Sequence, residues 1–181
     1  MRVIGGKYGR RRFDPPRGME ARPTTDYAKE GLFNVLVHAY PLDGIRVLDL
    51  YAGTGNISLE FLSRGAAEVV SVEQDRALAA HVQRTAQQLN EPTWHVVRSD
   101  VAAYLNGAHG RFDIIFADPP FHAEGVADLP GRVLASGLLE PDGLLVLEHS
   151  ARTAVAHVPG YQRTRRYGPV HFSFFHNPHT A

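Results

Sequence analysis

The sequence contains no cysteine among its 181 residues. Disulfides and thiolate metal sites are therefore closed to it, and a reducing cytoplasm is the natural compartment. It also lacks any run of about 18 apolar residues, so no membrane span is expected. Met1-Arg2-Val3-Ile4-Gly5-Gly6 has none of the apolar core of a signal peptide. Internal repeats and low-complexity tracts are missing as well. The ten histidines show no established ligand spacing, and no metal site is expected. Net charge is zero, with 19 Lys and Arg against 19 Asp and Glu.

That zero is an average over unlike segments. Residues 1–25 carry seven basic groups (Arg2, Lys7, Arg10, Arg11, Arg12, Arg17 and Arg22) against Asp14 and Glu20. Residues 26–150 hold 8 basic and 17 acidic groups, and residues 151–181 hold four arginines and no acid. Basic ends flanking an acidic middle predict that the ends meet a polyanion. Arg10-Arg11-Arg12 sits among glycine and aromatic residues rather than on a mixed-sign helix face, which favours nucleic acid over a merely solvated arm.

What is present in abundance is alternation. Residues 1–23, rich in Gly, Pro and Arg, read as an extended arm with a short hairpin near Arg11–Phe13. Thr25 or Asp26 can cap a helix running to about His38, with Ala28, Leu32, Phe33, Val35 and Leu36 as its apolar stripe. Strands follow at Ile45–Leu50, Glu68–Glu73, Trp94–Arg98, Phe112–Ala117 and Leu144–Glu148. Helices fall between them at Asn56–Arg64, Asp75–Leu89, from Val101 and over Val126–Ser136. Two further runs near Thr164–Tyr167 and His171–His176 predict a terminal hairpin. Short apolar strands alternating with helices predict an α/β, doubly wound sheet, whose ligands bind beyond the strand C-termini.

The polar motifs all fall at those strand ends. Asp49-Leu50-Tyr51-Ala52-Gly53-Thr54-Gly55 offers two glycines for a tight turn and a close backbone approach to a ligand. A dinucleotide fingerprint would want a third glycine where Ser58 stands, so no pyrophosphate loop is complete. The acidic residue before Ala-Gly-Thr-Gly is instead similar to the first motif of class I methyltransferases. Glu73, 20 residues after Gly53, can accept both hydroxyls of an adenosine ribose. In the methyltransferase arrangement that this motif resembles, an Asp at position 100 takes the adenine amino group; on its own Asp100 can equally cap the following helix, and both roles can hold at once. Asp118-Pro119-Pro120-Phe121 can present a carboxylate and a carbonyl to the two N–H bonds of an exocyclic amine, with Phe121 as a stacking face.

The [DN]-P-P-[FY] turn is that of methyltransferases acting on exocyclic or amide nitrogen. The flanking segments are narrower in their implication. Arg2-Val3-Ile4-Gly5-Gly6-Lys7, Arg22-Pro23-Thr24-Thr25, Lys29-Glu30-Gly31-Leu32-Phe33-Asn34-Val35-Leu36 and Leu62-Ser63-Arg64-Gly65-Ala66 resemble the bacterial 16S ribosomal RNA guanine-N2 methyltransferase (RsmD-like) family over nearly the whole chain. The resemblance implies a seven-stranded, Rossmann-like class I methyltransferase sheet, mostly parallel with a C-terminal antiparallel hairpin, over residues 25–181. It implies a basic RNA-contacting arm over residues 1–24 carrying Lys7, Arg10, Arg11 and Arg22. S-adenosylmethionine would be held by Asp49, Gly53, Gly55, Glu73 and Asp100. The guanine amine would be held by Asp118, Pro119, Pro120 and Phe121. The implied partner is 16S rRNA in the small ribosomal subunit or its assembly intermediates, met by a cytoplasmic monomer. Asn56 and Pro169 depart from the family pattern. A DNA adenine-N6 methyltransferase and a non-catalytic RNA-binding assembly factor on the same scaffold remain the alternatives, and the lack of an evident target-recognition domain speaks against the first.

Overall fold

The computed structural model describes residues 1–14, 25–107, 110–120 and 123–177. Seven strands form one sheet: β1 (Arg46–Leu50), β2 (Glu68–Val72), β3 (Trp94–Val97), β4 (Phe112–Ala117), β5 (Leu139–His149), β6 (Tyr161–Tyr167) and β7 (Val170–His176). Their order is β3-β2-β1-β4-β5-β7-β6. The first five are parallel, and β7 lies antiparallel between β5 and β6. The expected doubly wound sheet with a C-terminal antiparallel hairpin is what forms.

Helices α1 (Asp26–Ala39), α2 (Asn56–Ser63) and α3 (Arg76–Leu89) cover one face, and α4 (Val101–Gly107) and α5 (Leu129–Ala135) cover the other. Leu32, Phe33, Phe61 and Leu62 pack with Val47, Ile114 and Phe172 on the first face. Leu105, Leu129 and Val133 pack with Leu48, Ile115 and Leu145 on the second. The parallel strands are apolar along both faces because helices bury both faces. Helix starts follow local chemistry. Thr25 accepts the Ala28 amide at the head of α1, and Asp75 accepts the amides of Ala77 and Leu78 at the head of α3. No helix among the described residues is long and apolar enough to cross a membrane.

Three elements differ from expectation. β5 begins at Leu139 rather than Leu144, because the chain passes Pro141-Asp142-Gly143 as an irregularity in the β4–β5 register instead of a turn. α5 begins only at Leu129, where Pro130 suits a first helical turn. Residues 1–13 do not run extended. Arg2 and Arg12 form an antiparallel bridge around a short 3₁₀ turn at Gly6–Tyr8, and the hairpin-like loop is seated on α2. The amides of Ile4 and Gly5 donate to Glu60 at 2.8 and 2.9 Å, and the Tyr8 amide donates to Ser63 Oγ at 2.9 Å.

Candidate active site

A cavity of about 670 Å³ opens at the C-terminal edge of the parallel strands, where the β1, β2, β4 and β5 ends converge. Gly53, Glu73, Asp118, Pro119 and Pro120 line it, as do Tyr51, Ser99 and Glu148. A second, larger groove of about 840 Å³ between α1 and β6 lacks this convergence of strand-end carboxylates. The first cavity is therefore where chemistry is expected.

The loop after β1 is shaped by backbone, not by side chains. Tyr51, Gly53 and Gly55 all have positive φ, at 64°, 56° and 76°. At Gly53 an added Cβ would meet nothing nearer than Tyr51 O at 4.0 Å, so glycine is favoured there by conformation rather than by packing. At Gly55 the same atom would lie 2.8 Å from the Trp94 ring, so packing also demands glycine. Glu73 ties the loop to β2: one carboxylate oxygen accepts the Gly53 amide at 2.8 Å and the other accepts the Asp75 amide at 2.8 Å. A carboxylate has about four acceptor positions, so Glu73 retains capacity for hydroxyl donors on the cavity side.

Of the five residues expected at the cofactor, Gly53 and Glu73 line the cavity, whereas Asp49, Gly55 and Asp100 do not. Asp49 is buried beneath the loop, where it accepts both the amide and the hydroxyl of Ser58 at 3.1 and 2.5 Å. Ser58, in the place where a dinucleotide loop would carry glycine, thus serves to satisfy Asp49, and its hydroxyl continues to Ser71 at 2.6 Å. Asp100 caps α4 through the Ala103 amide at 3.0 Å, between the cavity-lining Ser99 and Val101. Phe121 and Arg22 lie outside the described residues.

Burial pushes the Asp49 carboxyl up to about 7, against the opposing hydrogen bonds from Ser58. The folded state therefore favours protonated Asp49. The stability this gives is complete below about pH 4 and is lost as pH rises toward 7. Asp49→Asn keeps an acceptor for the Ser58 amide but cannot ionise. It should gain stability relative to the wild type as pH rises from about 4 to about 8, read as the difference in urea midpoints. A difference that stays flat with pH would remove the assignment.

Asp118 follows β4 and is partly exposed to the cavity. Desolvation raises its carboxyl well above the usual range, and the charges of Glu148 and Asp49 raise it further. Glu148, at the corresponding place near the end of β5, is the main cavity residue not anticipated from sequence. The sequence does carry a signal for it: like Asp49, Glu73 and Asp118, it is an acid closing an apolar strand.

Three of the basic residues expected to meet RNA, Lys7, Arg10 and Arg11, fall on the docked loop. Arg10 and Arg11 are exposed. Lys7 is engaged by Glu91 at 2.5 Å, and that carboxylate raises the pKa of the lysine. Tyr8 donates to the same Glu91, and Arg11 lies over the Tyr8 ring.

Comparison with known proteins agrees with this architecture. The family model described as conserved hypothetical protein 95 matches residues 1–176. The ribosomal RNA small subunit methyltransferase D of Escherichia coli (strain K12) is 31% identical over 159 residues, spanning 88% of this chain and 79% of the relative. A hypothetical protein of Thermus thermophilus superimposes with a TM-score of 0.84 at 31% identity, over 97% of this chain and 99% of that one. A 16S rRNA N2 methyltransferase of T. thermophilus, solved in complex with AdoMet and guanosine, gives a TM-score of 0.69 at 28% identity. That match covers 88% of this chain and 45% of the other.

Proposed function

The chain belongs to the conserved hypothetical protein 95 family, and from that premise we propose that it is an S-adenosylmethionine-dependent rRNA methyltransferase acting on the exocyclic N2 amine of a guanine in 16S rRNA. The observation that carries this reading is the shared cavity. The Asp118-Pro119-Pro120 turn opens into the same space as the Gly53 loop and Glu73. On this reading an amine acceptor and an adenosine-ribose acceptor share one cavity.

The residues present fit the cofactor. Gly53 has a backbone conformation that lets the chain approach a ligand closely, and Glu73, directly after β2, has acceptor capacity for ribose hydroxyls. Bound there, S-adenosylmethionine supplies an electrophilic methyl group on a sulfonium. Guanine N2 is a poor nucleophile because its lone pair is delocalised into the ring. The Asp118 carboxylate and the Pro119 carbonyl accept the two N–H bonds, holding the nitrogen in the geometry that frees the lone pair and aims it in line. On methylation N2 would have to give up a proton, for which Asp118 would be the adjacent acceptor.

RNA is held by the face that carries the docked loop and α1. Arg2 and Asp26, 3.9 Å apart, join the two elements. From there the open groove beside α1 runs along β6, lined by Tyr27, Asn34, Arg163, Arg165 and Tyr167, with Glu30 as the acid among them. Tyr27 is 71% exposed, an aromatic surface suited to an unpaired base. Arg10 sits at φ 70°, where glycine would be less strained. Arg10→Gly with Arg11→Ala should leave the fold and cofactor affinity intact. It should lower the slope of log affinity for small-subunit particles against log salt by about 1.4–1.8. An unchanged slope would assign these arginines to solubility instead.

The function itself is tested by supplying labelled cofactor with small-subunit particles or duplex DNA and identifying the product by mass spectrometry. N2-methylguanosine in 16S rRNA is expected. N6-methyladenine in DNA, or cofactor binding with no transfer to either substrate, would overturn the reading.

A further inference from the structure

Glu148 and Asp118 stand side by side. The parallel β4–β5 register pairs Ala117 with Leu147, so the next residue on each strand is Asp118 and Glu148. Adjacent in-register positions of parallel strands project to the same side, and both residues line the same cavity. Asp118 is partly exposed there, whereas Glu148 is 3% exposed. The pair therefore offers an outer and an inner carboxylate acceptor.

Burying a carboxylate is costly, and placing two together adds repulsion. Glu148 is one of the charges that raise the Asp118 carboxyl. Asp49 below, and Glu73 and Asp75 across the cavity, are also acidic. Such an arrangement is suited to a ligand edge made of hydrogen-bond donors. Among the four RNA bases, only guanine places a ring N–H beside an exocyclic amine. Adenine and cytosine place a ring acceptor there, and uracil has no amine.

We propose that Glu148 is the residue that selects guanine, accepting the ring N1–H while Asp118 holds the neighbouring N2 amine. This rests on the guanine-N2 reading and adds to it the means by which the base is recognised. Glu148 already engages a neighbour in the structure, and its carboxylate has enough acceptor positions to take a further donor. A base with a ring acceptor at N1 would leave Glu148 facing a lone pair, and a buried acceptor without a donor is strongly discriminating.

The probe is 2-aminopurine, which keeps the N2 amine and lacks N1–H together with O6, so the change of its rate ratio in a Glu148 variant is what reports on Glu148. Single-turnover methylation is measured at saturating cofactor on small-subunit particles whose target nucleotide is guanine or 2-aminopurine. The wild type should be slower on 2-aminopurine by ~10²-fold. Glu148→Gln presents an amide that can either accept or donate, so it should shrink that ratio about tenfold or more, slowing guanine and speeding 2-aminopurine. Equal slowing on both bases would make Glu148 a packing residue and overturn the proposal. Comparable wild-type rates on the two bases would overturn the proposal outright, and should Glu148→Gln fail to fold, Glu148→Asp, which draws the carboxylate back, takes its place: it should slow guanine more than 2-aminopurine, and equal slowing overturns the proposal. Absence of N2-methylguanine from the wild-type reaction would defeat the functional reading itself. N2-methylguanine formed with an unchanged ratio in the variant defeats only the role of Glu148.

Discussion

Asp118→Ala should slow methyl transfer by roughly 10²–10⁴-fold, the range for a positioned proton acceptor, while cofactor affinity changes little. On the proposed guanine-N2 reading the methyl group arrives on a good leaving group, so the protein would chiefly orient N2 and keep its lone pair available. Asp118 is placed for this by β4, whose paired neighbour β1 also receives the Asp118 amide through Leu50 O at 3.3 Å. Asp118→Asn separates two contributions. It keeps an acceptor oxygen and the shape but loses the charge. If orientation dominates, Asn should retain much of the rate. If proton removal dominates, Asn should be nearly as slow as Ala. The raised carboxyl of Asp118 makes the charge itself expensive, so in the wild type the fast form should fade as pH falls, and in Asn that dependence should vanish. Single-turnover rates of the three forms across pH decide between these outcomes, and near wild-type rates in both variants would end the catalytic assignment.

Glu60→Ala should destabilise the fold by about 3–5 kcal/mol, the usual cost of breaking a buried ion pair by removing one partner. Glu60 and Lys29 are both fully buried, with Nζ 3.4 Å from the carboxylate. Glu60 also accepts from Arg64 Nε at 2.9 Å and from the amides of Ile4 and Gly5. Lys29 donates to Asn56 Oδ1 at 2.8 Å and to the Arg2 carbonyl. Desolvation lowers the Lys29 pKa, and Glu60 is the main group that opposes this. Without Glu60, the ammonium must be buried alone or give up its proton, and two backbone amides lose their acceptor. Urea unfolding measures the loss, and hydrogen exchange at Ile4 and Gly5 should accelerate with it. A loss below about 1 kcal/mol, within the range of an exposed pair, would show that the network contributes little. Because Asn56 begins α2 directly after the Gly53–Gly55 loop, this network also joins the basic loop to the cofactor side.

These two sites differ in how far the sequence discloses them. Phe112–Ala117 is legible as a strand to the residue, because a short apolar run closed by Asp-Pro-Pro has few other interpretations. Glu73 and Gly53 are legible for the same reason: each is out of character at the end of an apolar segment. Asp49 shares that signature, yet it faces inward. Only the fold brings the Ser58 hydroxyl back onto it, nine residues along. The β5 start is hidden because Pro-Asp-Gly usually ends a strand, and here a bulge absorbs it. Glu148 needs the β4–β5 register before its neighbour can be known. The Lys29–Glu60 pair joins two helices whose separate stripes give no sign that a lysine and a glutamate occupy apolar positions together.

The position of β7 has a consequence for how the protein is made. It carries Phe172, Phe174 and Phe175 into the interior and, among the described residues, is the only strand that pairs with β6. During synthesis, β1 to β5 can assemble as their residues emerge, but β6 must wait, unpaired, until residues 170–176 have left the ribosome. Until then the outer edge of β5 is uncovered. Nascent chains halted before residue 170 should therefore be the species that chaperones hold and proteases find.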